Sequence, residues 1–418
     1  MKPQPIAHSP AATQALALVA LVGLLLPFGR WAELPILLGA AIGLLAAARW
    51  RALWSHPALR ALLMANAAYA LAALLSCVDA VEPDKSWVTA LGALRFLAFG
   101  LGVLVLCIRA QADGVAASTL ARALAWVAAL PVAIWVVDGL MQAATGYSLG
   151  GPLDADRLSG IFGADDLKLG PLLPALAPLL LWPALRASRA QLTGIALALC
   201  VVVLLAGARA GWVSLALVAL MLCWRLAQGS WRRMARLLAA CALVVSLLGG
   251  AAYALSDSFR ARVDRTLLAG AGQVDTALAG RVPIWDTAAR MSAAHPVNGV
   301  GVRGFRYAYP DYASPGDPWV DAASHTGAAH AHQLILELLT ETGVFGLLLW
   351  VAGAAVLVGL WRQTAATPEA QAPWVALLVL VFPLNTHLAF YSSFMGIVLC
   401  WLWTLACAQS LLQPAGES

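Results

Sequence analysis

Long apolar runs recur along the whole chain and limit its fold more than any other feature of the sequence. They are roughly 16 to 24 residues long, the length that an α-helix needs to cross the hydrocarbon layer of a bilayer. Only 11% of the 418 residues are charged and 61% are hydrophobic, so no soluble core could bury this much apolar surface. The sequence therefore predicts an all-α polytopic membrane protein, in which each backbone group is paired within its own helix.

Marking the apolar runs between charged or Pro/Gly-rich breaks predicts about twelve transmembrane helices. They cover roughly residues 12–28, 34–48, 59–77, 87–108, 118–141, 169–185, 191–207, 210–227, 235–255, 337–361, 372–387 and 392–412. The first could pass for a signal peptide, but no small-residue cleavage site follows it, so we expect an uncleaved span.

Lysine and arginine are distributed unevenly among the short loops, and this asymmetry predicts the orientation of the chain. With both termini in the cytoplasm, the cytoplasmic loops contain Arg49, Arg51, Arg60, Arg109, Arg122, Arg186, Arg189, Arg225, Arg232, Arg233, Arg236 and Arg362. The short outer loops contain few basic residues, and these have acidic neighbours. The net charge of +5 therefore reflects membrane topology and does not indicate a nucleic-acid partner.

The predicted organisation has three parts. Residues 1–255 carry the first nine spans with a short outer loop at 142–168, residues 256–336 form a large outer loop, and residues 337–418 carry the last three spans. A loop this long inside a compact protein is usually functional, and its aromatic residues indicate a partly helical cap. Residues 281–294 are predicted to form an amphipathic helix in this cap. Its expected apolar face comprises Val282, Trp285, Ala289 and Met291.

Two arginines stand in patterns that suit an anionic ligand. Residues 207–211 read Gly-Ala-Arg-Ala-Gly and place Arg209 between two spans, where a guanidinium is costly unless it snorkels or binds an anion. Arg281 comes two residues before Pro283, which suits the first turn of a helix. Free backbone N–H groups and the guanidinium could together hold a phosphate there. Each arginine could equally be an interfacial or solvated charge.

Two histidines, His330 and His332, stand just before the tenth predicted span. Because they are two residues apart, they cannot share one helix face. His325 could join them in a metal site, but the spacing fits no metal motif and no thiolate is near in sequence. A neutral histidine at a wet membrane boundary suits the role of a general base near pH 7, with a buried structural histidine as the alternative.

Four segments of the chain resemble the family of bacterial O-antigen ligases and their polymerase relatives. His332-Gln333, nine residues and then Gly343-x-x-Gly346 is similar to the family signature His-[Asn/Ser/Gln]-x9-Gly-x-x-Gly. Residues 207–211 resemble its Ser/Ala-Arg-Gly/Ala motif, residues 280–305 its Gly-Arg…Trp…Pro-x-x-Gly-x-Gly segment, and residues 157–162 its Arg-x-x-Gly-x-Phe stretch. The resemblance implies a C-type glycosyltransferase-like fold in the bacterial inner membrane, with the active site facing the periplasm.

The resemblance also implies a reaction of lipopolysaccharide biosynthesis. Polysaccharide would pass from undecaprenyl diphosphate to a sugar hydroxyl of lipid A–core, with inversion at the anomeric carbon and without a metal ion or other cofactor. His332 would be the general base, with His330 orienting it or sharing the role, and Arg209 and Arg281 would stabilise the departing diphosphate. Further candidates for binding phosphate groups of either substrate are Arg157, Lys168, Arg265, Arg303 and Arg306.

A metal-dependent mechanism stays open at this stage. Asp165 and Asp166 could hold Mg²⁺ or Mn²⁺, as could the acidic loop of Asp79, Glu82 and Asp84. Both clusters have basic neighbours and neither lies in the segments that carry the resemblance. We therefore favour a mechanism in which arginine replaces the metal ion.

Other functions also stay open. A polymerase would use the same donor with a second lipid-linked glycan as acceptor, and a protein O-oligosaccharyltransferase would modify Ser or Thr. We favour the ligase because the chain is compact, with one dominant outer loop. A transporter of lipid-linked sugars should carry ionisable residues along a path within the membrane, whereas Arg95 and Asp138 are the only charged residues well within the predicted spans.

Overall fold

The computed structural model describes residues 4–46, 55–153, 157–164, 166–267, 275, 278–383 and 388–413. Three residues named above, Arg49, Arg51 and Asp165, lie outside this part of the chain. The α-helices, numbered in chain order, are α1 Pro10–Leu25, α2 Glu33–Leu45, α3 Pro57–Leu75, α4 Pro83–Gly92, α5 Leu94–Ala112, α6 Ala117–Thr145, α7 Leu169–Leu181, α8 Arg189–Ala206, α9 Arg209–Ala227, α10 Trp231–Leu255, α11 Asp257–Leu267, α12 Val282–Ala294, α13 Phe305–Tyr312, α14 Leu334–Gln363, α15 Pro368–Leu380 and α16 Ser393–Leu411.

Other regular structure in the described residues is short. Turns of 3-10 helix cover Ile6–His8, Leu26–Ala32, Gly160–Phe162 and Pro183–Arg186. Strand β1, Tyr147–Ser148, pairs antiparallel with β2, Gly151–Pro152. The chain is 76% helical, which confirms the predicted all-α class.

Ten described helical segments are long and apolar enough to cross a membrane, judged by length and composition. The protein is therefore a multi-pass membrane protein. The first two predicted spans lie in one of these segments, Pro10–Leu45, where Gly29 leaves the helical conformation at φ 63° and ψ −114°. The predicted span 372–387 corresponds to α15, whose 13 residues make a helix only about 20 Å long. Its last residues, 384–387, lie outside the described part of the chain.

Contacts between residues divide the chain into two compact units. The first comprises residues 1–124, 280–370 and 386–418, and the second comprises residues 125–279 and 371–385. In the first unit α14 packs along α3, α2 along α5, and α16 against α3 and α5. In the second unit α7 packs against both α8 and α9, and α9 also packs against α10.

The described residues between 278 and 333, here called the cap, have a core of their own. It comprises Ile284, Ala288, Met291, Val300, Phe305, Ala308, Tyr309, Ala328 and Ala331. The predicted helix is confirmed as α12, and its predicted apolar face is correct only in part. Met291 is buried and Trp285 is half-buried, whereas Val282 is 40% exposed and Ala289 is also exposed. The buried stripe also includes Ile284 and Ala288, because α12 packs against both α13 and α14.

Residues 296–302 of the cap run alongside the start of α14. Val300 donates its N–H to the carbonyl of Thr340 over 2.8 Å and accepts the N–H of Val81 over 3.0 Å. Further hydrogen bonds join Val344 N–H to Pro296 O, Val302 N–H to Ser76 Oγ, and Ser86 Oγ–H to Val302 O. These hydrogen bonds hold the segment between the start of α14 on one side and residues 76–86 on the other. The backbones therefore lie close together, with little room for side chains between them.

Glycines of two sequence motifs lie where these backbones meet. Gly343 interrupts α14 at φ 63° and ψ −166°, and a Cβ atom built on it would overlap the carbonyl of Val297. A Cβ atom on Gly299 would overlap the backbone of Glu341 and its neighbour. The spacing of these glycines therefore follows from the close approach of the cap to α14, since only glycine allows both the contact and the positive φ.

Replacing Gly343 with alanine is expected to destabilise the protein. The change places a Cβ atom on the cap backbone and forces alanine to a positive φ, which together cost about 2 kcal/mol or more. The thermal unfolding midpoint of the detergent-solubilised protein should fall, and the cap should become more sensitive to protease. Gly359→Ala is the matched control in the same helix, because a Cβ atom on Gly359 meets nothing within 4 Å. Equal behaviour of the two variants would contradict this account.

Candidate active site

The two histidines of the cap are held in place just before α14. Gln333 forms the N-cap of α14, and its side chain accepts the N–H of Leu336 over 2.6 Å. Trp285 of α12 donates its indole N–H to the carbonyl of Ala331, between the two histidines, over 3.1 Å. His332 adopts a φ of 52°, a region that non-glycine residues seldom occupy and that is often found at functional sites.

The positive φ of His332 turns its ring toward His330. The two ring centroids are 3.9 Å apart, and the ring planes are tilted by 45°. The backbone N–H of His332 also donates to Nδ1 of His330 over 3.3 Å. His330 is only 8% exposed, whereas His332 is half-buried. The more accessible imidazole is therefore that of His332, and His330 packs behind it.

Two arginines bring positive charge to these histidines. Arg281 is the N-cap residue of α12, which confirms its predicted position at a helix start, and Arg303 adopts a φ of 66° in the cap. Burial, followed by the charges of Arg303 and Arg281, lowers the pKa of His330 to about 4. The first unit thus brings together four residues that the sequence predicted for the site: Arg281, Arg303, His330 and His332.

Two buried carboxyl groups complete this cluster, and the sequence analysis assigned neither of them a role. Glu337 and Glu341 lie one turn apart on α14, and each is 2% exposed. Glu337 accepts the N–H of Phe390 at Oε1 over 2.5 Å, and its Oε2 lies 3.3 Å from Nδ1 of His330. Glu341 accepts backbone N–H groups from the segment that carries Arg303. The sequence feature that could have indicated a role for these two residues is their spacing of four residues in an otherwise apolar helix, where an acidic side chain needs a partner.

The second unit holds a separate group of arginines. Arg209 is the first residue of α9 and follows Gly207, which ends α8 at a φ of 66°. Arg265 of α11 is near enough for its charge to act on Arg209. The sequence analysis missed Arg262, which is buried and packs so closely on Gly207 that a Cβ atom there would overlap its guanidinium. Only the folding of α11 against this turn reveals that contact.

The segment from residue 194 to residue 351 matches the family model described as O-Antigen ligase. This segment is similar to the O-antigen ligase family. It includes Arg209, Arg281, His330 and His332. The match supports a membrane enzyme of the ligase or polymerase type. No curated protein matches the chain.

Three of the other predicted phosphate-binding residues have local contacts. Lys168 forms an ion pair with Asp166, and Arg306 donates to Thr326 Oγ1 over 3.4 Å. Arg157 is half-buried in a loop whose next residue donates its N–H to Leu205 O at the end of α8. Their roles in binding substrate stay predictions.

The candidate metal ligands in the described residues are scattered. Among the residues that the structure describes, no three His, Cys, Asp or Glu side chains converge as a metal site. His325 is 73% exposed at its side chain and lies 3.5 Å from Asp311. Asp165, half of the acidic pair considered above, lies outside the described residues. Metal independence therefore stays a prediction, which a chelator tests directly.

The buried His330 should make the protein less stable in acid. Its pKa is about 4 when folded and about 6.5 when unfolded, so the unfolded chain binds the additional proton between these values. The contribution is fully present above pH 6.5 and is lost as the pH falls toward 4, by about 3 kcal/mol in all. The midpoint of thermal unfolding should therefore fall over this range, and fall less in His330→Gln. An identical pH dependence in both proteins would refute this assignment.

Proposed function

We propose that this protein transfers polysaccharide from undecaprenyl diphosphate to a sugar hydroxyl of lipid A–core. The chain would lie in the bacterial inner membrane with both termini in the cytoplasm and the cap in the periplasm. The observation that carries this proposal is the cluster of His330, His332, Arg281 and Arg303 within the segment that matches the family. It offers a base for an acceptor hydroxyl beside fixed positive charge for a diphosphate.

His332 is the proposed general base. Its ring is more accessible than that of His330, which is buried behind it. As the acceptor oxygen attacks, its proton passes to His332 and a new bond forms to the anomeric carbon. The bond from that carbon to the diphosphate oxygen breaks on the opposite face, and its electron pair leaves with undecaprenyl diphosphate. The anomeric configuration is therefore inverted.

Arg281 is the proposed partner of the departing diphosphate. It is the N-cap residue of α12, where the positive end of the helix dipole favours an anion. A guanidinium carries its charge at any working pH and can bind two phosphate oxygens at once. This supports charge stabilisation without a divalent ion. The motif around Arg209 supports the same role for that arginine, and its own substitution would test it.

Arg95 and Asp138, two charged residues within the predicted spans, favour an enzyme over a transporter. Arg95 donates to both carboxylate oxygens of Glu33, over 2.8 and 2.7 Å. Asp138 accepts the N–H of Leu149 over 2.7 Å. Both groups therefore have local structural partners, whereas a transport path would need ionisable groups that a moving substrate can reach.

The deciding experiment is a transfer reaction with purified protein, undecaprenyl-diphosphate-linked glycan and lipid A–core, followed on a gel in the presence of EDTA. Glycan joined to lipid A–core with EDTA present would support the proposed metal-independent ligase. Longer glycan from the donor alone would instead identify a polymerase. Activity that EDTA abolishes and Mg²⁺ or Mn²⁺ restores would overturn the metal-free mechanism.

A further inference from the structure

Glu337 connects α14 to both histidines of the candidate active site. One carboxyl oxygen, Oε1, is held by the backbone N–H of Phe390 over 2.5 Å. The other, Oε2, lies 3.3 Å from Nδ1 of His330. The side chain is therefore fixed at both oxygens, with no water-exposed surface that a substrate could use directly.

The same nitrogen of His330 has a second contact. It accepts the backbone N–H of His332 over 3.3 Å, so Nδ1 carries its single lone pair rather than a proton, and a proton donated by Glu337 would share that lone pair. A carboxylate oxygen facing that lone pair would be repelled, whereas a protonated carboxyl group would donate to it.

We propose that Glu337 is a positioning residue for the transfer reaction, donating its carboxyl proton to Nδ1 of His330 and so holding the His330 ring against the ring of His332. This inference rests on the proposed function of His332 as the base. The ring of His330 packs 3.9 Å from that of His332, measured between centroids. If His330 were free to rotate, His332 would lose both this packing surface and the acceptor for its backbone N–H. Its strained φ of 52° would then have less to hold it.

Two substitutions separate this role from simple packing. Glu337→Ala removes the carboxyl group, whereas Glu337→Gln keeps an oxygen for the N–H of Phe390 and an N–H donor for Nδ1 of His330. We expect the alanine variant to lose about 10- to 100-fold in kcat, the range seen when hydrogen-bond partners of metal-ligating histidines are removed. The KM for the lipid-linked donor should stay within about twofold of the parent value. The glutamine variant should keep most of the parent kcat.

Glu369 supplies the matched control. It is also buried, at 4% exposed, but follows the far end of α14. Glu369→Ala tests what the loss of any buried carboxyl group does to this chain. Comparable losses of kcat in Glu369→Ala and Glu337→Ala would mean that general destabilisation explains both, and would overturn the proposal. Equal losses in Glu337→Gln and Glu337→Ala would also overturn it, since the amide retains the donor.

A chemical readout keeps the inference testable without catalysis. Diethyl pyrocarbonate modifies accessible imidazoles, and mass spectrometry reports its rate at each histidine. In the parent protein we expect His332 to react faster than His330, and Glu337→Ala should raise the rate at His330 at least fivefold while Glu337→Gln does not. An unchanged rate at His330 in the alanine variant would overturn the proposal. If the parent transfers no glycan, the proposed function fails, but this measurement still decides whether Glu337 holds His330.

Discussion

Replacing His332 with alanine is expected to lower kcat for glycan transfer by about 10²- to 10⁴-fold, the usual contribution of a positioned general base. The acceptor hydroxyl would then attack without a group to take its proton, while the donor would still bind. KM for the lipid-linked donor should therefore change little. The measurement is the initial rate of product formation at saturating donor, with the variant purified in the same detergent as the parent.

His325→Ala is the control for this substitution. His325 also belongs to the cap, but its side chain is 73% exposed and lies 3.5 Å from Asp311 rather than in the buried cluster. It should keep nearly full activity. A His332→Ala variant with the parent's kcat would rule out this residue as the base. Loss of activity only in His330→Ala would assign proton transfer to the buried imidazole instead.

Replacing Arg281 with alanine is expected to lower the transfer rate by about 10²- to 10³-fold, as when a preorganised donor to a developing anion is removed. The departing diphosphate would lose a permanent charge at the start of α12. Arg281→Lys should fall between the parent and the alanine variant, because lysine restores charge but not bidentate binding. Single-turnover rates with bound donor would measure the bond-breaking step directly.

Arg122→Ala is the control for the arginine variants. Arg122 is exposed on α6 and donates to the carbonyl of Ser118 in the same helix. Its removal should leave the transfer rate unchanged. If Arg281→Ala raised only the KM for donor and left kcat intact, Arg281 would contribute equally to ground-state and transition-state binding, and its proposed role in charge stabilisation would be wrong.

Much of the fold and part of the site could be predicted because they depend on local chemistry. Apolar length alone indicates a membrane helix, since unpaired backbone groups cannot be tolerated in lipid. Pro283 marked the start of α12 correctly because it needs no hydrogen-bond partner at its nitrogen. The sequence identified Gln333 only as part of a family motif. The structure shows that its side chain caps the N-terminus of α14.

Other features depended on contacts between distant segments and could not be predicted. The buried face of α12 was predicted only in part because the apolar pattern is ambiguous until α13 and α14 are packed against it. The two histidines were judged by helix geometry, yet they precede the helix, and the left-handed backbone of His332 brings their rings together. No local sequence pattern predicts that Glu337 contacts His330 or that Arg262 contacts Gly207.

The sequence by itself therefore determined the membrane-helical class, the family motifs and the residue types available for chemistry. These follow from hydrophobic length, charge distribution and residue spacing, which act over a few helical turns. The tertiary structure alone decided which glycines touch the cap backbone, which carboxyl group reaches His330, and which imidazole stays accessible. Such contacts join residues far apart in the chain, and burial then changes the chemistry of the groups that meet.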